Sequence, residues 1–102
     1  MVRRASKVDD NQSQIIAALR GAGASVQPLH AVGMGCPDLL VGFRGANLLF
    51  EVKDGGKAPS ARKLTAWQEK WHVQWDGQAC VVNDVEEALA AIGLEIRGTI
   101  NQ

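Results

Sequence analysis

The sequence has no apolar run approaching the roughly 20 residues needed to cross a bilayer, so no transmembrane helix is expected. Neither charge is in excess: Lys and Arg number 11, Asp and Glu number 11, and the formal net charge is zero. A globally basic nucleic-acid binder is thereby excluded, and any hold on a polyanion must come from local patches. Cysteine is scarce. Cys36 and Cys80 lie far apart, with no further Cys or His at metal-ligand spacing, which sets aside a zinc site and fits two reduced thiols. The basic start, Met1-Val2-Arg3-Arg4-Ala5-Ser6-Lys7, has no apolar stretch behind it and does not read as a secretory signal. A cytoplasmic protein without membrane contact is expected.

The 102 residues leave room for one domain with a modest core. Residues 1–9 read as a flexible basic arm, 10–97 as the single folded domain and 98–102 as a C-terminal tail. From Asp10 onward Ile15, Ile16, Leu19 and Ala22 recur at helical spacing, with Asp9, Asp10 or Ser13 available as cap and Gly21 and Gly23 as terminators. Ser25 to Leu29 predicts a short strand, followed by the glycine-rich Gly33-Met34-Gly35-Cys36. Two apolar runs, 38–43 and 46–53, are separated by Arg44-Gly45, a link suited to a hairpin. After a loop over 54–59, Ser60 is expected to cap a helix running to about Gln74, with Leu64, Trp67 and Trp71 on one face. Gln78 to Val82 predicts a further strand. Asp84 with Glu87 predicts a capping box for a last helix ending near Gly93. The fold class is therefore α/β: an αβββαβα core whose mixed sheet is flanked by helices on both faces.

The hairpin serves as a ruler. Counting outward from Arg44-Gly45 pairs Phe43 with Ala46, Leu40 with Leu49 and Asp38 with Glu51. Side chains alternate along a strand, so Lys53 shares the face of Glu51 while Val52 points to the other. Two carboxylates facing each other repel, more so when desolvated. A divalent cation such as Mg²⁺ or Mn²⁺ removes that repulsion, and the Val52 carbonyl between the two functional positions is a further candidate ligand. Such an ion, with a lysine beside it, suits phosphodiester hydrolysis. The blander reading is a surface ion pair of Lys53 with Glu51 or Asp38. Spacing alone leaves both open.

Pro37-Asp38, an apolar hairpin, then Glu51-Val52-Lys53 resembles the PD-(D/E)XK nuclease motif. With Gly33-Met34-Gly35-Cys36 before it and Gln68-Glu69-Lys70-Trp71 after it, the pattern is similar to the compact VRR-Nuc branch of that superfamily, over about residues 10–92. The resemblance implies a restriction-endonuclease-like fold and a Mg²⁺- or Mn²⁺-dependent DNA endonuclease. Asp38 and Glu51 would hold the metal, Lys53 would assist the attacking water, and Gln68 would position the lysine or the substrate. Such nucleases often carry a further acidic residue on the first helix. Here that stretch reads Asp10-Asn11-Gln12-Ser13-Gln14, so the acid is replaced by an amide or shifted to Asp10, which implies one well-held ion. The resemblance further implies branched DNA such as a Holliday junction as substrate, a symmetric dimer, and a bacterial or phage-infected cell.

Lys57, Arg62 and Lys63 follow the candidate site closely and are expected to contact phosphate. Arg3, Arg4 and Lys7 form a second basic cluster, for which phosphate contact and plain solvation are both open. Trp67, Trp71 and Trp75 recur every four residues, a stripe expected to serve a core or a homodimer interface before base stacking. His30 and His72 lack obvious partners and read as structural. Gly33 and Gly35 either admit a close backbone approach to substrate or serve a turn. Two rival readings remain: a DNA-binding module without catalysis, and a small antitoxin-like interaction protein whose charges are surface decoration.

Overall fold

Arg44 and Gly45 both take left-handed backbone, with φ of 50° and 83°, as the tight two-residue turn between twisted strands requires. The turn joins β2 (Leu39–Phe43) to β3 (Ala46–Val52), and the ladder runs Phe43 against Ala46, Leu40 against Leu49 and Leu39 against Phe50. This is the register counted from the sequence. β1 (Ser25–Pro28) lies antiparallel beside β2, and β4 (Ala79–Val82) lies parallel beside β3, so the sheet order is β1-β2-β3-β4. The parallel pairing demands a crossover, supplied by a 3₁₀ turn (Pro59–Arg62) and α2 (Ala66–Gln74). α1 (Gln12–Gly21) opens the fold and α3 (Val85–Ala91) closes it. The computed structural model describes residues 9–93. Arg3, Arg4, Lys7 and the expected tail at 98–102 lie outside the described residues. No helix among the described residues is long and apolar enough to cross a membrane.

Alternation along the strands sorts the residues onto two faces. Leu39, Val41, Phe50, Val52 and Val82 share one face and are buried with Ile15 and Leu19 of α1, Ala88 of α3 and Ile92. That face carries the hydrophobic core. Glu51 and Lys53 point the other way, yet both are buried. What covers them is the first turn of α2, whose Gln68 reaches both side chains.

Four local expectations are corrected. The helix expected from Ser60 starts at Ala66. Pro59 opens only a 3₁₀ turn, Lys63 is extended (φ −68°, ψ 148°), and Leu64 therefore shares no helical face with the tryptophans. Thr65 is the true cap, forming a reciprocal box with Gln68 that satisfies two free backbone donors. None of Asp9, Asp10 and Ser13 caps α1. Its N-cap is Asn11, whose side chain makes no capping bond; its amide instead donates to the carbonyls of Lys53 (3.1 Å) and Asn83 (3.0 Å), tying α1 to the ends of β3 and β4. At α3 Asp84 caps as expected, accepting from the Glu87 N–H, but Glu87 reaches back to the Asn83 N–H rather than to that of Asp84. The tryptophan stripe is not core either: no residue of α2 is buried, and Trp75 lies past its end, stacked on Trp71 at 4.6 Å.

The loop before β2 meets α2 through Gly35. Its φ is +82°, and a Cβ there would run into the Trp67 backbone carbonyl, so the close approach this glycine permits is to the protein's own helix. Gly33 (φ +78°) has nothing within 4 Å of a Cβ. Gly33→Ala is therefore expected to lower stability only by the left-handed backbone penalty, about 1 kcal/mol. Gly35→Ala adds a backbone collision and should lower it by roughly 2–4 kcal/mol. Urea unfolding of the two variants side by side checks the difference.

Candidate active site

The end of the hairpin decides where the ionisable groups go. Asp38 stands one residue before β2, its carbonyl accepting from the Leu29 N–H at 2.7 Å. Its carboxylate Oδ2 accepts the Val52 N–H at 2.8 Å, continuing the pairing of the hairpin with a side chain in place of backbone. Within a strand a residue's N–H and C=O leave on the same edge, so the Val52 carbonyl is directed toward Asp38 as well. Glu51, next in line, is 2% exposed and lies within hydrogen-bonding reach of Asp38.

Gln68 organises the remaining contacts. Its Nε2 donates to Glu51 Oε2 at 3.0 Å, and its Oε1 accepts from Lys53 Nζ at 2.9 Å and from the Thr65 N–H at 2.9 Å. The amide is thus oriented by the capping box of α2 and in turn fixes the lysine. Lys53 Nζ stays 4.0 Å from Glu51 Oε2, near enough for attraction and beyond hydrogen-bond length. Glu51 Oε1 is buried and has no hydrogen-bond partner among the described residues. A bare carboxylate oxygen in such a place is unfavourable. Burial, and after it the negative charge of Asp38, pushes the Glu51 carboxyl up to about 9, with Lys53 pulling in the opposite direction.

These side chains form the floor of a cavity of about 610 Å³, also lined by Asp9, Met34, Cys36 and Trp67. Asp9 and Cys36 were not anticipated. The acid that reaches the site from the start of α1 is Asp9 and not Asp10, which is exposed. The chain turns by a hydrogen bond from the Gln12 N–H to the Asp9 carbonyl (3.1 Å), and this turn aims Asp9 back at the cavity. Burial raises the Asp9 carboxyl, partly offset by Lys53 and Lys57. The Cys36 thiol is pushed up by burial and then by Glu51 and Asp38. No spacing rule in the sequence marks either residue; the glycines flanking Met34 were the only signal near Cys36.

Among the expected site residues, Asp38, Glu51, Val52, Lys53 and Gln68 come together. The basic cluster is divided. Lys57 Nζ lies 4.0 Å from Asp9, which lines the cavity, while Arg62 Nε donates to the Lys57 carbonyl at 2.9 Å; neither basic side chain lines the cavity itself. Lys63 is exposed on the extended link into α2. His30 Nδ1 and His72 Nε2 are buried without hydrogen-bond partners among the described residues, and neither histidine lines this cavity.

The donor set can be tested against a divalent ion. Two carboxyls at contact, one carrying an unpartnered oxygen, and a carbonyl on the same strand edge fit a hard cation that keeps several of its waters. Among the described residues no three His, Cys, Asp or Glu side chains converge to hold an ion, so the fit is for a pair of carboxylates and not for a closed cage. No protein-family model matches the chain, and no curated protein and no solved structure matches it significantly.

A raised carboxyl pKa has a consequence for stability. Glu51 ionises near 4.5 when unfolded and near 9 when folded, so folding takes up a proton between those limits. This group's contribution is greatest below pH 4.5 and declines as pH rises, by at most about 1.4 kcal/mol per pH unit. Glu51→Gln removes the titration and leaves an amide able to donate toward Asp38. In metal-free buffer the variant should melt higher than wild type at pH 8 and converge with it near pH 4, as followed by circular dichroism.

Proposed function

We propose that this chain is a divalent-metal-dependent DNA endonuclease of the PD-(D/E)XK kind, similar to the VRR-Nuc branch, with a restriction-endonuclease-like core. The observation that carries the reading is the pair Asp38 and Glu51, pressed together in a buried position with one carboxylate oxygen unpartnered. Nothing in the packing of a small α/β domain calls for two acids there. A cation does.

Asp38 and Glu51 would hold Mg²⁺ or Mn²⁺, with the Val52 carbonyl as a third protein oxygen. When bound, such an ion polarises a phosphoryl oxygen and makes a nearby water more acidic. The chain's own groups supply the rest. Lys53 presents an ammonium, able to donate to the attacking water or to the negative charge that develops on the phosphate. Gln68 acts through Lys53 and Glu51 as a positioning residue, since its amide holds both at hydrogen-bond length. Asp9 brings a third acid to the cavity rim. Lys57 beside Asp9, together with Arg62 and Lys63, would supply sequence-independent attraction for the backbone of DNA, and Arg3 and Arg4 would extend it. Branched DNA and a homodimer are part of the same proposal; the exposed Val73, Trp75 and Val81 offer apolar surface to a second copy.

The second reading, a module that holds DNA without cutting it, draws on one observation: among the described residues the acids form a pair and not a metal-holding cluster of three. Incubation of supercoiled plasmid and of a four-way junction with Mg²⁺ or Mn²⁺ separates the two. The nuclease reading expects cleavage that EDTA abolishes. Asp38→Asn and Lys53→Ala should each reduce the rate at least about 100-fold while the circular dichroism spectrum stays unchanged. DNA binding with no cut of any DNA form supports the module and sinks the nuclease.

A further inference from the structure

Trp67 differs from the other two tryptophans in what it faces. Trp71 and Trp75 stack at 4.6 Å with their planes 16° apart, and Trp71 meets His72 edge-on at 5.3 Å. Trp67 is 58% exposed on the first turn of α2 and lines the same cavity as Glu51, Lys53 and its helix neighbour Gln68. It also lines a shallower depression of about 180 Å³ with Ala66 and Lys70, and the Lys70 ammonium lies 6.0 Å from its ring centroid.

The loop adds a second apolar group. Met34 is 75% exposed and lines the same cavity, although its φ of 58° is a conformation that residues other than glycine avoid at about 1 kcal/mol. The backbone turn between Gly33 and Gly35 thus leaves a thioether at the rim, where the core gains nothing from it. Lys53 in the floor and Lys70 beyond the indole, with the indole and a thioether at the edge, match the make-up of a nucleotide: an anion joined to a flat apolar ring. In a continuous duplex the base faces are already stacked on each other, and phosphates and groove edges are what a protein meets. An unpaired base has a free face.

We propose that Trp67 is the stacking platform for an unpaired nucleobase beside a phosphodiester that meets Lys53, with Lys70 meeting the adjoining phosphate and Met34 bounding the base from the loop. The inference rests on the nuclease reading and narrows its substrate to DNA with unpaired nucleotides at the cut, as in a single strand, a flap or an opened junction. Base stacking on an aromatic side chain tolerates any sequence, so the preference is for strand state and not for sequence.

The test measures binding apart from cleavage. The full chain is titrated in EDTA with a fluorescein-labelled 12-nucleotide single strand and with the blunt duplex of the same sequence, using wild type, Trp67→Leu and Trp67→Phe. Leucine keeps apolar bulk and removes the π face; phenylalanine keeps a smaller one. Wild type should bind the single strand about tenfold tighter than the duplex. Trp67→Leu should lose about tenfold on the single strand and little on the duplex, and Trp67→Phe should recover most of the loss. Equal affinity of wild type and Trp67→Leu for the single strand overturns the proposal, as does an unchanged single-strand preference. Cleavage of the same oligonucleotides with Mn²⁺ is scored separately. Cutting that is indifferent to Trp67 leaves the nuclease standing and removes the platform. A Trp67-dependent strand preference without cutting does the reverse.

Discussion

The structure turns on the enforced contact between two acidic side chains, Asp38 and Glu51, at the end of a buried hairpin. The strand register places their backbones side by side. Asp38 is pinned by the Val52 N–H, and Glu51 occupies the position in β3 next to Val52, whose own side chain is locked in the core. Separating their backbone positions would require slipping β2 against β3, and a slip of β2 by one residue would turn Leu39 and Val41 out of the core. The hydrophobic effect on one face of the sheet thus holds an electrostatic conflict on the other.

That conflict is relieved only in part by the chain itself. Lys53 is attracted to Glu51 but stays 4.0 Å away, because its ammonium is engaged by Gln68. Gln68 is placed by an ordinary helix-capping box with Thr65, so a local helix-start device also sets the geometry at the charged floor. The approach of α2 depends in turn on the missing side chain of Gly35, where a Cβ would meet the Trp67 backbone. Loop, helix start and hairpin end are therefore one mechanical unit, and disturbing any of them alters how Lys53 and Glu51 sit.

The amide-rich opening of α1 acquires a physical reason. Asn11 commits its amide to the carbonyls of Lys53 and Asn83, bracing the ends of the two parallel strands. An acid at that position would have brought an acceptor to two acceptors. The carboxylate reaching the cavity comes two residues earlier, from Asp9, through the turn that precedes the helix.

Much of this was legible in the sequence, and the reason is that hairpin register is a local property. Arg44-Gly45 and the alternation of Leu39, Val41, Leu48 and Phe50 are sufficient to set which residues face each other, and this puts Asp38, Glu51 and Lys53 on common ground. The order of elements was legible for the same reason, since periodicity and turn residues act over a few positions. Other features depended on contacts between segments far apart in the chain. The start of α2 was misread because Ser60 and Thr65 are both good caps, and only the fit of Gly35 against Trp67 and of Gln68 against Glu51 chooses between them. The tryptophan stripe read as core or interface because period alone does not say which side of a helix finds a partner. Asp9 and Cys36 carry no motif, and both reach the cavity through loop geometry. Sequence by itself determined the strand pairing and the charged trio it creates, because those follow from short-range alternation; tertiary structure alone decided which helix covers the trio, which acid joins it and which indole stands at its edge, because those follow from packing across the whole domain.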